Sequence, residues 1–514
     1  MEPEVRTSKG RLRGVVKDGI IVFRGIPFAA PPVGNLRFRA PQPPERWDGV
    51  RDATQFGPIA PQTPNELLDS LFGREPPQPM DEDCLYLNVW TPGLDDARRP
   101  VMVWIHGGGF TIGAGSQPVY NGTAFASRGA VLVSINYRLG ALGFLRVEGA
   151  PGEPVANFGM LDQVAALRWV RDEIAAFGGD PENVTIFGES AGGMSVGCLM
   201  ASPLARGLFH KAILQSGAAH TALTLKQADE NAKDVLWALG AKRGDVETLR
   251  SFPASEILAA QASVETADRE RLAGGEYTGL RYQPVVDGHF LEGMPIDAIA
   301  AGNARDVAVL IGVNKDEWKL FAAASPNARL MREDSAMRRL ARLCGDDEAR
   351  AQAMLRTYRE ARESRGEATE PFDLFSAAMT DWMFRIPADR LAEAQSAHQK
   401  KVFAYRFDWP SPFGEGLLGA CHALEIPFVF GVHHMAPMLV GSGPKADALA
   451  KAMGDAWTAF ARNGDPSTDD LPWPPFEPTR RRTLVFDGER RVEELPQERE
   501  RCCWDGLVPR SVVA

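Results

Sequence analysis

Two short stretches hold residue types that could do nucleophilic chemistry. The first is Gly188-Glu189-Ser190-Ala191-Gly192. It follows the apolar, β-branched run Val184-Thr185-Ile186-Phe187 and precedes Gly193 to Met200, which reads as the start of a helix. A Gly-x-Ser-x-Gly turn between strand and helix lifts a serine hydroxyl above a sheet edge on a strained backbone, and its glycines leave room for the neighbouring chain. The helix behind it offers free N–H groups and a positive dipole end to a developing oxyanion. The second stretch is His106-Gly107-Gly108-Gly109-Phe110, after the continuous apolar run Val101-Met102-Val103-Trp104-Ile105. Consecutive glycines let backbone N–H groups approach a ligand. No Lys-Ser/Thr follows at phosphate-loop spacing and no GxGxxG register fits, so an oxyanion hole beside the serine turn is the better match.

A serine hydroxyl is a poor nucleophile without a base in reach and a third group to orient that base. On a serine turn of this kind the chain order is serine, acid, histidine. Of the eight histidines, four lie C-terminal to any plausible acid. His398 sits in a charged helical stretch, and His433 and His434 are adjacent, so at most one of that pair could face a site. His422, in Gly419-Ala420-Cys421-His422-Ala423-Leu424-Glu425, is in a loop shortly after a strand, where catalytic groups concentrate. His106 is expected to shape the glycine loop. The acid should follow the strand Ala308 to Gly312, in Val313-Asn314-Lys315-Asp316-Glu317-Trp318. Asp316 and Glu317 both qualify by position, and spacing does not choose between them.

Several elements must position these groups. Apolar runs at 101–105, 131–135, 184–187, 211–215, 308–312 and 402–407 read as buried strands. Residues 161–177 read as a helix that ends at Gly178-Gly179, and residues 444–462 as another that ends at Asn463-Gly464-Asp465-Pro466. Strand alternating with helix predicts an α/β fold with a largely parallel sheet. Residues 4–24 read as short antiparallel strands, and Glu82 to Trp90 as a strand. The proline-rich stretch from Gly25-Ile26-Pro27 to Pro44 is expected to be an ordered loop, neither helix nor central strand. Residues 329–400, rich in Arg, Glu and Ala, are expected to be a helical insertion roofing the site within a single unit spanning 1–514. Residues 61–81, with the apolar cluster Leu67, Leu68, Leu71 and Phe72, are expected to form a mobile flap.

Composition excludes some classes. A net charge of −10 and a pI of about 5.5 argue against a nucleic-acid surface and against attraction to anionic membranes. The six cysteines form no CxxC and no ligand cluster with histidine, so no metal or disulfide framework is expected. No run of about 20 apolar residues is present, and the first residues do not read as a signal peptide, so the cytoplasm is the expected compartment.

The chain resembles the type-B carboxylesterases, the cholinesterase-like branch of the α/β-hydrolases. The likeness rests on Arg24-Gly25-Ile26-Pro27, Glu82 to Val89, the glycine run, Phe187 to Gly193, Asn314 to Glu317 and Gly419 to Gly431, in that order along nearly the whole chain. The resemblance implies the α/β-hydrolase fold. It implies Ser190 as nucleophile, His422 as base and Glu317 as acid, an oxyanion hole from the N–H groups of Gly108, Gly109 and Ala191, and supporting roles for Glu189 and Ser216. No cofactor is implied, and the partner is a small-molecule ester. The implied reaction is ester hydrolysis of broad specificity through an acyl-serine. The same residues could cleave a carbamate or an amide, and relatives of this fold also serve as non-catalytic adhesion modules. Trp318 stands where the family usually has glycine. Secreted relatives bridge the cysteine matching Cys84 to an upstream partner; here that position is Ala60. The loop between them lacks the tryptophan that binds quaternary ammonium in cholinesterases.

Overall fold

The computed structural model describes residues 2–63, 78–148, 153–242, 244–273, 279–323 and 328–507. Its centre is an 11-stranded sheet. The strands are β1 (Val15–Lys17), β2 (Ile20–Pro27), β3 (Tyr86–Thr91), β4 (Arg99–Ile105), β5 (Val131–Ile135), β6 (Gly179–Glu189), β7 (Lys211–Gln215), β8 (Ala308–Asn314), β9 (Val402–Phe407), β10 (Thr483–Phe486) and β11 (Arg490–Glu493). The spatial order is β11-β10-β9-β8-β7-β6-β4-β5-β3-β2-β1. Pairing is parallel from β5 through β10 and antiparallel at both margins.

The period of two along buried strands splits the core into two halves. Val101, Val103 and Ile105 of β4 pack on one face, Met102 and Trp104 on the other. The helices Phe158–Glu173 and Ala191–Ala201 cover the first face and Pro444–Asn463 the second. The chain runs from β4 to β5 on one side, then crosses to β6 on the other. That reversal opens a crevice at the carboxyl ends of β4 and β6, the place where open α/β sheets bind ligands.

Residues 333–396 are helical as expected: Glu333–Leu343, Glu348–Ser364, Pro371–Thr380 and Ile386–Ser396, with a π-helical turn at Asp381–Arg385. They share a small core of their own, with Leu340, Met354, Tyr358, Met379 and Trp382 packed around Trp504 from the C-terminal segment.

Three details depart from the sequence reading. Gly25 to Pro27 are not loop: they end β2, an interior strand, with Pro27 at its last position and a register shift after Phe23. A terminal position spares the ladder the missing N–H of proline. The strand expected from Glu82 begins only at Tyr86, and the Glu82 carboxylate pairs with the guanidinium of Arg37. The helices Leu225–Ala238, Val246–Ser251 and Ala254–Ala273 have no counterpart in the sequence reading. Most of the expected flap, with Leu67, Leu68, Leu71 and Phe72, lies outside the described residues. Its flanks are joined by hydrogen bonds: Ile59 donates its N–H to Pro79 O at 2.9 Å, and Asp81 donates to Ile59 O at 3.1 Å.

Candidate active site

Ser190 leaves β6 with φ 56° and ψ −124° and opens the helix Ala191–Ala201. This backbone is rare for a side chain larger than glycine and stores of order 1–3 kcal/mol. The turn is fixed from both sides. Ser190 N–H donates to Gln215 O at 2.9 Å, and Met194 N–H to Ser190 O at 2.8 Å. Gly192 is required by close approach: a Cβ there would stand 2.0 Å from Ile105 O. The glycine run comes equally close. A Cβ on Gly107 would lie 2.8 Å from Glu189 O and 3.2 Å from Ser190 Cβ. The N–H groups of Gly108 and Gly109 meet no acceptor among the described residues. Ala191 is the first helical residue, so its N–H has no intrahelical partner. His106 is buried, stacks on Tyr137 with centroids 4.4 Å apart, and holds Gly107 O through Nδ1 at 2.8 Å. It shapes the loop, as expected.

The structure separates Asp316 from Glu317. Glu317 is fully buried, and its Oε2 lies 2.6 Å from His422 Nδ1, while Oε1 accepts the N–H of Asn314 at 2.7 Å. Asp316 turns away, accepting the N–H of Ala420 at 3.1 Å and pairing with Lys319 at 2.9 Å. Against a carboxylate, Nδ1 of His422 is the donor, which leaves the Nε2 lone pair free. Nε2 faces the serine turn, 3.1 Å from Glu189 Oε1. The Ser190 hydroxyl makes no hydrogen bond among the described residues; such bonds commonly tighten only with substrate in place. Ser216 is buried beside this turn at φ 47°, its N–H donates to Gly312 O, and its Oγ has no partner among the described residues. His433 instead pairs with Asp447, and His398 bonds Ala300 O, so neither joins the site.

Three buried carboxylates surround one imidazole. Burial alone would lower the His422 pKa, but Glu189, Glu317 and Glu425 outweigh it and lift the value to about 9. Burial pushes Glu189 up to about 8 against the pull of His422. Burial, with Glu317 nearby, also raises Glu425.

The sequence reading gave no role to several residues here. Glu425 accepts from Gln215 Nε2 at 2.9 Å and from Asn314 Nδ2 at 2.7 Å. Phe384, from the π-helical turn, and Phe321 lie against the His422 ring at 4.8 and 5.0 Å. Trp318, where the family usually has glycine, packs on Phe321 and donates its N–H to Thr380 Oγ1 at 3.1 Å, tying the acid loop to the helical segment. Asn314 and Glu425 stand within three residues of the acid and the histidine, which was a usable signal. The phenylalanines carried none, because only tertiary packing brings them in. Among the described residues there is no cluster of His, Cys, Asp and Glu fit to hold a metal, and no helix long and apolar enough to cross a membrane.

Comparison with known proteins agrees with this geometry. The model of the carboxylesterase family matches residues 1–504. Para-nitrobenzyl esterase of Bacillus subtilis (strain 168) is 41% identical over 505 residues, covering 97% of each chain. Phenmedipham hydrolase of Pseudarthrobacter oxydans is 38% identical over 494 residues, covering 95% of each. Among solved structures, a carboxylesterase of Geobacillus stearothermophilus superposes with a TM-score of 0.84 at 40% identity, covering 98% of this chain and 99% of that one. A thermophilic PNB esterase gives 0.85 at 37%, covering 98% and 100%. With a serine turn, an acid–histidine pair and a glycine loop on one sheet edge, the chain belongs to the carboxylesterase family and is a serine hydrolase of carboxylic esters with the α/β-hydrolase fold.

Proposed function

We propose that Ser190, His422 and Glu317 perform the hydrolysis. His422 Nε2 takes the Ser190 proton as Oγ attacks the ester carbonyl, and later delivers it to the leaving alcohol. Glu317 holds the Nδ1–H tautomer and stabilises the imidazolium. The N–H groups of Gly108, Gly109 and Ala191 receive the oxyanion, each worth roughly 3 kcal/mol in the transition state. Water then repeats the cycle on the acyl-serine. The observation that carries this reading is the 2.6 Å contact between Glu317 Oε2 and His422 Nδ1, which turns Nε2 towards the serine turn. Glu189 and Ser216 have supporting roles beside the turn, Glu189 against His422 Nε2 and Ser216 through its N–H to Gly312 O. The helices from 333 to 396 act as a cap within one unit, and they bring Phe384 to the histidine side, where the alcohol departs.

The two phenylalanines, together with the 41% identity to a para-nitrobenzyl esterase, favour esters of small aromatic alcohols within a broad range. We place the enzyme in the cytoplasm; all six of its cysteines are free thiols, which suits a reducing compartment. The test of the residue roles is labelling by a serine-reactive phosphonate, with the modified peptide mapped, beside kcat/KM on matched benzyl and alkyl esters, carbamates and amides. Label on Ser190 and a preference for the benzyl ester are expected. Label elsewhere would overturn the assignment, and a preference for the carbamate or amide would overturn the substrate class.

A further inference from the structure

We infer that Asn314 is a positioning residue of the reaction, the clamp that sets the loop carrying Glu317 against the loop carrying His422. The inference rests on the triad reading above. Glu317 and His422 are 105 residues apart and sit on separate loops. Asn314, the last residue of β8, is fully buried and touches both. Its N–H donates to Glu317 Oε1 at 2.7 Å. Its side-chain Nδ2 donates at 2.7 Å to Cys421 O, the carbonyl just before His422, and at 2.7 Å to Glu425 Oε2, three residues after it. Both partners of Nδ2 are acceptors, so the orientation of the amide is determined: turned over, it would set oxygen against two oxygens.

The clamp is part of a larger circuit. Glu425 Oε1 accepts from Gln215 Nε2 at 2.9 Å. Gln215 is held in turn by Trp457 Nε1 at 3.0 Å, and its carbonyl receives the Ser190 N–H at 2.9 Å. Hydrogen bonds thus run from half-buried Ser190 through the buried Gln215, Glu425, Asn314 and Glu317 to His422. No single loop sets the spacing of nucleophile, base and acid. The ends of β6, β7 and β8 set it jointly, through polar groups that burial makes costly to leave unpaired. Loss of the clamp should appear in the chemical step more than in binding, since small misplacements of catalytic groups are expensive in rate.

The experiment compares Asn314→Ala, Asn314→Asp and the double variant Asn314→Asp with Glu425→Gln. Steady-state kinetics on a p-nitrophenyl ester are taken across pH, well below each variant's Tm. Asn314→Ala is expected to lose about 10- to 100-fold in kcat with little change in KM. The rising limb of kcat/KM should move to lower pH, because a looser Glu317 contact favours the imidazolium less. Asn314→Asp should be worse, since it opposes one carboxylate to another and to a carbonyl. The double variant reverses donor and acceptor across the same pair. Its new amide gives an N–H to the new carboxylate and keeps its oxygen for Gln215, so it should recover much of that loss. Asn314→Ser, which keeps one hydroxyl donor, covers the case in which the others fail to fold, and should give an intermediate kcat and limb. A lowered Tm with wild-type kcat and an unmoved limb would show a structural role only and overturn the inference, as would a double variant no better than Asn314→Asp. Phosphonate labelling of the wild-type protein separates the two readings. Without label on Ser190 the triad reading fails; with it, an unaffected Asn314→Ala refutes the clamp alone.

Discussion

Glu189→Gln removes one of the charges that hold His422 without changing the shape of the site. Glu189 Oε1 stands 3.1 Å from Nε2, the nitrogen proposed to receive the serine proton, and Glu317 Oε2 stands 2.6 Å from Nδ1. The two groups titrate as one unit, since a proton on Glu189 cancels the charge that lifts His422. A full charge at 3.1 Å is worth about 5 kcal/mol at an effective dielectric of about 20, or about 4 pH units. That is an upper bound. Burial opposes the charged imidazole, and Glu189 is itself pushed up to about 8 by burial. In the proposed mechanism the neutral imidazole is the active form; the carboxylates lift its pKa to about 9, so activity should rise with pH through this group. Glutamine removes the charge, so the rising limb of kcat/KM should fall by about one to two units, and activity near pH 6 should grow relative to the plateau. The assay is initial-rate ester hydrolysis followed by pH-stat, with pre-steady-state bursts to show that acylation is being observed. A limb that stays where the wild-type limb lies would refute the reasoning, because no other change in Glu189→Gln could restore the lost field.

Other outcomes follow from the same geometry. Ser190→Ala should abolish turnover with the fold intact, His422→Ala should cost about as much, and the double variant should be little worse than either; near wild-type turnover by purified Ser190→Ala ends the assignment. Glu317→Gln should lower kcat by orders of magnitude, while Asp316→Asn, remote from the imidazole, should act mainly on stability; the reverse ranking in kcat would refute the choice of acid. Gly192→Ala drives a Cβ to 2.0 Å from a β4 carbonyl and should cost about 1–3 kcal/mol or more, read as a lowered urea midpoint; an unchanged midpoint would mean the elbow yields freely. In Glu367, burial is outweighed by Lys315 and Arg365, which bring its pKa down to about 2. A depressed carboxylate contributes stability above its ordinary value of 4.5 that is lost as pH falls towards 2. Discounted for solvent screening of this half-buried group, Glu367→Gln should destabilise by about 1–2 kcal/mol at pH 7, with the gap narrowing at about pH 3. A gap equal at both pH values would show that charge is not the cause.

What was legible in the sequence follows the range of the forces concerned. The elbow could be read because its strain is local: two glycines, a serine and the change from strand to helix periodicity all fall within a few residues. The sheet could be read because strands buried on both faces are continuous apolar runs, as in 101–105 and 308–314. The choice between Asp316 and Glu317 could not be read from spacing, since adjacent residues differ only in which way they point. The family resemblance implied Glu317; in the structure Glu317 lies against the imidazole, while Ala420 N–H and Lys319 occupy Asp316. Phe384 was hidden because a π-helical turn has no composition of its own. The helices from 225 to 273 carry no motif of the site, although Leu225–Ala238 opens with a capping box at Thr224 and Gln227 that the sequence displays.

The three buried carboxylates differ in the donors they receive. Glu317 receives two, the N–H of Asn314 and His422 Nδ1–H. Glu425 receives two, from Gln215 and Asn314. Glu189 receives none among the described residues apart from its contact with His422 Nε2, and its Oε1 is otherwise unpartnered. Burial acts on all three, but a carboxylate that accepts hydrogen bonds keeps its charge more cheaply than one that does not. Glu189 is therefore the member that gives way. It faces Nε2 across 3.1 Å, so the two groups titrate together, and in the proposed mechanism the base takes the serine proton only from its neutral form. In the proposed mechanism Glu189 bears on the charge of His422, while Glu317, which accepts the N–H of Asn314, holds its Nδ1. The two carboxylates on either side of one imidazole differ in function because they differ in donors.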